Sequence, residues 1–222
     1  MKKFINILFC AIFVFGLMFS CHDNSSTTNQ NEKTRLSREQ VIADSIARVE
    51  FVRDSILKSP ENQAKIASLK PLFNEKKDEF QDNCWVEPKN APAYRNRNGV
   101  YCYFSIKDEV PENFRFVFQY YADEWLFIRN MIFNIDGENI TISPKMDTDC
   151  GYGGMIWEWC DASVNNDYGS VNEEFIKKLA NAKSVKVKMN GSQYYDTKTL
   201  TAAQIKSIKD TYDYYLSLGG RF

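Results

Sequence analysis

Six cysteines, one histidine and several closely spaced tryptophans and tyrosines are the residues of this chain with chemistry to offer. Cys84, Cys102, Cys150 and Cys160 fall in the part of the chain that should fold. In an oxidising compartment they could form disulfides. Sequence neighbours suggest Cys84 with Cys102 across adjacent strands and Cys150 with Cys160 around a Gly-rich loop; free buried thiols are the alternative. Zinc is the weaker reading, because neither a Cys-x-x-Cys pair nor a histidine of the domain accompanies them. The single histidine is His22, close to the N-terminus. A Ser-His-Asp triad or a Cys-His pair therefore cannot be assembled inside the domain, and histidine-ligated metal is excluded with it. The expectation is a protein with no catalytic residue, no metal and no cofactor.

Carboxylates and aromatic rings remain. Asp136, Glu138, Asp147, Asp149, Glu158 and Asp161 could supply the acid pair of a glycoside hydrolase, although acids collect near turns for conformational reasons alone. The stretch Asp147–Gly154 lacks the EF-hand pattern and reads as a hairpin loop sooner than as a calcium site. Its glycines also lack the Lys-Ser/Thr of a phosphate loop. Trp157 and Trp159 share one strand face with Glu158 opposite, Tyr101 and Tyr103 share another, and Tyr194 and Tyr195 adjoin a turn. Exposed, these rings could stack on a glycan or anchor a protein partner; buried, they are core.

The elements that must position these side chains follow from periodicity. Val41, Ile42, Ile46, Val49, Val52, Ile56 and Leu57 recur at helical spacing behind a capping box at Ser37–Gln40, which predicts an amphipathic helix over about 38–58. Ser59-Pro60 should start a second, short helix that ends near Pro71. From Phe80 the pattern changes to short runs rich in aromatic and β-branched residues: 80–86, 100–106, 114–121, 125–135, 139–143 and 155–160. Asp136-Gly137 is a hairpin signal. The run 125–135 is apolar on both alternation sets, as in a strand covered on two sides. A capping box at Ser170–Glu173 should open a helix to about Ala182. The alternation of Val185, Val187 and Met189 should give a strand that turns at Asn190-Gly191 into a partner over 194–200. Thr201–Gln204 caps a last helix with Ile205, Ile208, Tyr212 and Leu216 on one face, ending at Gly219-Gly220. The fold class is α+β: a mainly antiparallel sheet with helices toward both ends. The expected organisation is a leader over 1–20, a tether over 21–35, a helical segment over 36–70 and one domain over 71–222.

The N-terminus predicts how the protein is placed. Lys2-Lys3 precede an apolar run from Phe4 to Phe19, the pattern of a secretion signal. Leu17-Met18-Phe19-Ser20-Cys21 resembles the lipobox of bacterial lipoproteins, and the resemblance implies that Cys21 is acylated and becomes the mature N-terminus. Multiple acyl chains would anchor it stably. The polar residues from His22 to Asn31 read as a flexible tether. The style resembles that of Bacteroidetes lipoproteins, which implies an outer-membrane lipoprotein on the periplasmic face or the cell surface. Loss of the leader would leave 26 basic against 29 acidic residues, and without a basic stripe this speaks against nucleic acid as a partner.

Four further stretches look alike to one family. Lys77-Asp78-Glu79-Phe80 with Trp85, Tyr120 to Ile128 (YYADEWLFI), Ile156-Trp157-Glu158-Trp159 and Gly191-Ser192-Gln193-Tyr194-Tyr195 resemble a recurrent, uncharacterised bacterial domain over about 70–218. It is carried by secreted or lipid-anchored proteins and implies no catalytic residues. The expectation is therefore a lipid-anchored envelope protein with a non-catalytic binding domain for a protein or glycan. A carboxylate-dependent glycan hydrolase and an oligomerising structural lipoprotein are the alternatives.

Overall fold

The computed structural model describes residues 27–78, 80, 82–151, 153–164 and 170–222. The leader, Cys21 and the first tether residues lie outside the described residues. The chain divides into two compact units, Met1–Phe51 and Val52–Phe222.

Helix α1 (Thr27–Leu57) makes up the described part of the first unit and continues into the second. It starts inside the expected tether and runs through the capping box at Ser37. Glu, Lys, Arg and Gln dominate residues 30–40 and favour helix, so propagation upstream outweighs the stop that Ser37 could provide. Val41, Ile42, Phe51, Val52 and Ile56 of this helix are exposed. No described helix is long and apolar enough to cross a membrane.

The second unit continues with α2 (Pro60–Leu69), whose Ser59 cap accepts the Asn62 N–H as the sequence predicts. Among the described residues, a 3-10 helix (Lys70–Leu72), ten strands and two α-helices follow in chain order. The strands are β1 (Phe73–Asp78), β2 (Asn83–Pro88), β3 (Gly99–Lys107), β4 (Val110–Ala122), β5 (Asn130–Ile135), β6 (Glu138–Ile142), β7 (Asp147–Cys150), β8 (Ile156–Ser163), β9 (Val185–Asn190) and β10 (Tyr195–Thr199). Helix α3 (Glu173–Ala180) precedes β9, and α4 (Ala202–Ser217) follows β10. The strands form two antiparallel sheets: sheet A in the order β1-β2-β3-β4-β8-β7, and sheet B in the order β10-β9-β5-β6. The α+β class is as expected.

One face of sheet A is the floor of the core. Phe116 and Phe118 meet Phe133 of sheet B edge-on, and Phe116 and Phe133 both meet Phe175 of α3. Farther along the same face, Phe104 and Phe114 pack on Tyr215 of α4. Sheet B and the two helices therefore share the burial of one sheet face, which is how a two-layer fold hides its apolar side. In α4, Ile205, Ile208, Tyr212, Tyr214 and Tyr215 are buried, whereas Leu216, expected on that face, is 37% exposed at its edge. The Thr201–Gln204 capping box is complete. The cap of α3 is Asn172, not Ser170, whose hydroxyl instead accepts the Ser143 N–H.

The stretch expected as a strand over 125–135 is one only from Asn130. Residues 126–128 leave the ladder because Glu158 takes their N–H groups, while the Arg129 N–H bonds the Asn190 carbonyl of β9. Strands β1 and β7 carry no apolar alternation and sit at the two edges of sheet A. Their polar residues suit exposed edges, and only backbone pairing reveals them. The stretch Asp147–Cys150 is therefore an edge strand, where a loop was expected. The Asp136-Gly137 turn is as expected, with φ of 49° and 96° at its two central residues, the conformation of a type I′ hairpin. The Asp136 carboxylate also accepts N–H groups from Lys183 and Ser184, which holds its pKa below the usual carboxylate value.

Candidate functional site

The other face of sheet A is not covered by sheet B. Alternation along the strands puts Tyr101 and Tyr103 of β3, Arg115, Val117 and Gln119 of β4, and Trp157, Trp159 and Asp161 of β8 on this outer face. Asp161 organises its centre. Its Oδ1 accepts the Arg115 Nε–H at 2.7 Å. Its Oδ2 accepts the Tyr103 hydroxyl at 2.8 Å and Arg95 Nη2 at 3.1 Å. Arg115 Nη2 also donates to the Asp161 backbone carbonyl. A carboxylate has acceptor sites enough for all of these donors. The Arg95 guanidinium lies 5.7 Å above the Trp159 ring and that of Arg115 lies 6.0 Å from the Tyr103 ring. Trp85 of β2 packs on Tyr103 at 5.3 Å.

Arg95 arrives on the loop between β2 and β3. Besides Arg95, Asn98 fastens this loop, exchanging hydrogen bonds with the Tyr121 backbone. Gly99 lets the loop lie close: a Cβ there would come within 2.7 Å of Pro92 Cγ and 3.0 Å of Gln119 Oε1. The loop and the sheet enclose a cleft of about 420 Å³, lined by Lys76, Glu87, Tyr94, Arg95, Tyr101 and Gln119 among others. Its size falls in the range of ~300–1,000 Å³ usual for small-molecule sites. Lys76 is ion-paired with Glu87. Two buried atoms in the lining residues, Arg95 Nη1 and Gln119 Oε1, have no hydrogen-bond partner within the protein. Gln119 is only 2% exposed. A smaller cleft of about 290 Å³ between Leu72, Phe73, Asn90 and Ser207 adjoins it through Pro88 and Lys89.

Burial raises the phenols of this face. It is the largest cause for Tyr101, which is pushed up to about 12, and for Tyr103, where Asp161 adds to it. For a phenol raised in the folded state, the stabilising contribution is complete below the free value near ~10 and is lost as pH rises through the folded value. Tyr101 and Tyr103 should therefore ionise late, together with alkaline unfolding. Phenolate absorbance followed beside circular dichroism tests this, and their early, reversible ionisation with the fold intact would contradict it.

The aromatic residues expected as ligand contacts do not form one patch. Tyr101, Tyr103 and Trp159 meet around Asp161 and Arg95, and Trp157 lies two residues along the same strand face, both tryptophans half-buried. Tyr194 and Tyr195 are 72% and 64% exposed and belong to the β9–β10 hairpin, where Lys188 Nζ sits 4.3 Å from the Tyr195 ring. Sequence reasoning overlooked Arg95 and Gln119. Gln119 left a trace, as a lone amide inside the apolar run Phe114–Tyr121; Arg95, in a loop, left none.

The cysteine pairs are corrected. All four described cysteines are free thiols. Cys84 faces Ile106 across the ladder, four residues from Cys102, and Cys150 faces Ile156, four residues from Cys160. Four residues along a strand is roughly 13 Å, well beyond the ~7 Å limit between bridged Cα atoms. Burial pushes the Cys102 thiol up and the Cys160 thiol to about 12, so neither is a nucleophile at neutral pH. Cys21 lies outside the described residues.

The acids also separate. Glu158, at 0% exposed, faces the core. Its Oε1 accepts the N–H groups of Leu126 and Phe127 at 2.7 and 2.8 Å, and its Oε2 that of Ile128 at 2.7 Å. Phe127 is held at φ 52° with its ring stacked on Trp125. The Leu126 carbonyl accepts the Ser192 N–H, a close approach that needs Gly191, where a Cβ would lie 2.1 Å from that oxygen. Glu138 pairs with Lys178, Asp136 serves its turn, and Asp147 and Asp149 are exposed on edge strand β7. Glu158 and Asp161 are thus structural, and none of the six acids lines the cleft. Among the described residues no group of three or more metal-ligating side chains occurs.

No known protein family matches this chain, and no curated protein or solved structure does either.

Proposed function

We propose that the chain is a lipid-anchored envelope protein whose domain binds a ligand in the cleft on the outer face of sheet A without transforming it. One observation carries the reading: a buried amide oxygen and a buried guanidinium nitrogen are left unpaired in the wall of an aromatic, polar cleft. Leaving such groups unmet costs about 1–3 kcal/mol each, and a ligand that meets them recovers that cost. The absence of any histidine from the domain fits a binding role, and so does the use of Glu158 and Asp161 as fasteners. The anchor rests on the leader and on Cys21.

Hydrogen exchange of the full chain, with and without a fractionated envelope extract, tests the cleft. Slowed exchange confined to the amides of 89–103 and 157–161 is expected, and an unchanged pattern there refutes the reading. Cys21→Ser should move the protein from the membrane fraction to the soluble fraction of the cell. Retention of that variant in the membrane fraction would refute the lipid anchor.

A further inference from the structure

We propose that this cleft takes a neutral saccharide, bound through adjacent hydroxyl groups that pair with Gln119 and Arg95; the proposal rests on the reading of the cleft as the binding site. The two unmet atoms are of opposite kind. Arg95 Nη1 can only donate and Gln119 Oε1 can only accept. A carboxylate or phosphate would satisfy the guanidinium and set its own oxygens against the amide oxygen. An ammonium would satisfy the amide and be repelled by the guanidinium. A hydroxyl both donates and accepts, so neighbouring hydroxyls of one sugar ring meet both atoms with no charge.

Two further features agree. Lys76 is matched by Glu87, and Arg95 shares Asp161 with Arg115; the positive excess this leaves sits at the partly exposed arginines and at exposed Lys89, where water and salt screen its pull on an anion. The walls offer tyrosine rings, Tyr94 and Tyr101, on which the C–H face of a sugar can lie. The apolar residues among them are only prolines and alanines, which offer little to an aliphatic chain. Both unmet atoms are closed off from solvent, and Pro92 lies over Gln119 across Gly99. Entry therefore requires a shift of the segment around Pro92, between the fastenings at Lys89, whose N–H bonds the Leu72 carbonyl, and at Arg95.

The test is calorimetry on the full chain in a zwitterionic, sugar-free detergent, since alkyl glycosides would compete. The probes are maltose, cellobiose, lactose and chitobiose, with glucuronate and a lysine-containing tripeptide as charged probes. At least one neutral disaccharide is expected to bind with a dissociation constant in the millimolar range or below, and more tightly than either charged probe. Gln119→Leu should weaken it at least tenfold while the midpoint of thermal unfolding stays the same or rises, because an unmet buried oxygen is removed. Should that variant fail to fold, Tyr94→Ala, at a ring 70% exposed, should weaken binding similarly with an unchanged midpoint. Equal sugar affinity in wild type and variant overturns the placement in this cleft. Binding of a charged probe in a Gln119-dependent way, with the neutral sugars silent, overturns the neutral saccharide and leaves the cleft standing. Silence from all six overturns both.

Discussion

Replacing Glu158 by leucine should cost about 4 kcal/mol, because three consecutive backbone N–H groups lose their acceptor inside the core. Native domains hold only ~5–15 kcal/mol in total, so the variant should be marginal. For a domain of this size the unfolding midpoint should fall by roughly 8–16 °C. The carboxylate acts here as the occupant of a nest of backbone donors. Leu126 and Phe127 share one oxygen and Ile128 uses the other. Glu158→Gln should be milder, at about 2–3 kcal/mol: an amide keeps an acceptor for the first two donors and turns its NH₂ against the third. The order leucine worse than glutamine separates a donor-satisfying role from simple space filling, which would favour leucine. Near-ultraviolet dichroism should report the same change, since the Trp125–Phe127 stack rides on this segment, with the Phe127 backbone in the left-handed region. Thermal midpoints within 2 °C of wild type for both variants would refute the clamp.

Features fixed by near neighbours could be read from the sequence, and those fixed by distant partners could not. The Asp136-Gly137 turn, the Ser59 and Thr201 caps and the alternation of Val185, Val187 and Met189 depend on residues two to four apart, and all appear where expected. Edge strands β1 and β7 have no such pattern; Asn74–Asp78 and Asp147–Asp149 are polar because their side chains meet solvent, and only the ladder defines them. Residues 125–129 look like strand, since every local cue is apolar. The acceptor that pulls 126–128 out of the ladder stands some thirty positions later. One cue was legible: with Trp157 and Trp159 on one face, Glu158 had to share the other with Ile156 and Cys160, a core face. The disulfide expectation failed by register, because nearness in sequence places two cysteines on neighbouring strands but does not set them opposite each other. Of the outer face of sheet A, Tyr101, Tyr103, Trp157 and Trp159 were named from the sequence. The parts that make it a cleft, Arg95 and Gln119, meet only after the β2–β3 loop folds over β4.

Asp161 tests whether that loop is held or merely rests on the sheet. Asp161→Asn should cost about 1–2 kcal/mol, less than Glu158→Gln. Its partners are only partly buried, with Arg95 at 37% and Arg115 at 24% side-chain exposure, and water screens what is lost. The amide oxygen can still accept two of the three side-chain donors, Tyr103 and Arg95, while its NH₂ faces the third, Arg115 Nε. The effect on the cleft should exceed the effect on the fold. Arg95 loses its counter-ion, the loop around Pro92 loses a fastening, and hydrogen exchange at 90–98 should quicken at least tenfold. A tyrosine titration gives an independent sign. For Tyr103 burial is the largest cause of the raised value and Asp161 the next, whereas for Tyr101 Asp161 comes after burial, Arg95 and Glu87, so in the variant Tyr103 should fall farther back toward ~10 than Tyr101. A fold merely loosened throughout would lower both phenols together. A carboxylate bonded directly to Tyr103, Arg115 and Arg95 makes the fall of Tyr103 the larger one, and the same carboxylate holds Arg95 and its loop against the sheet.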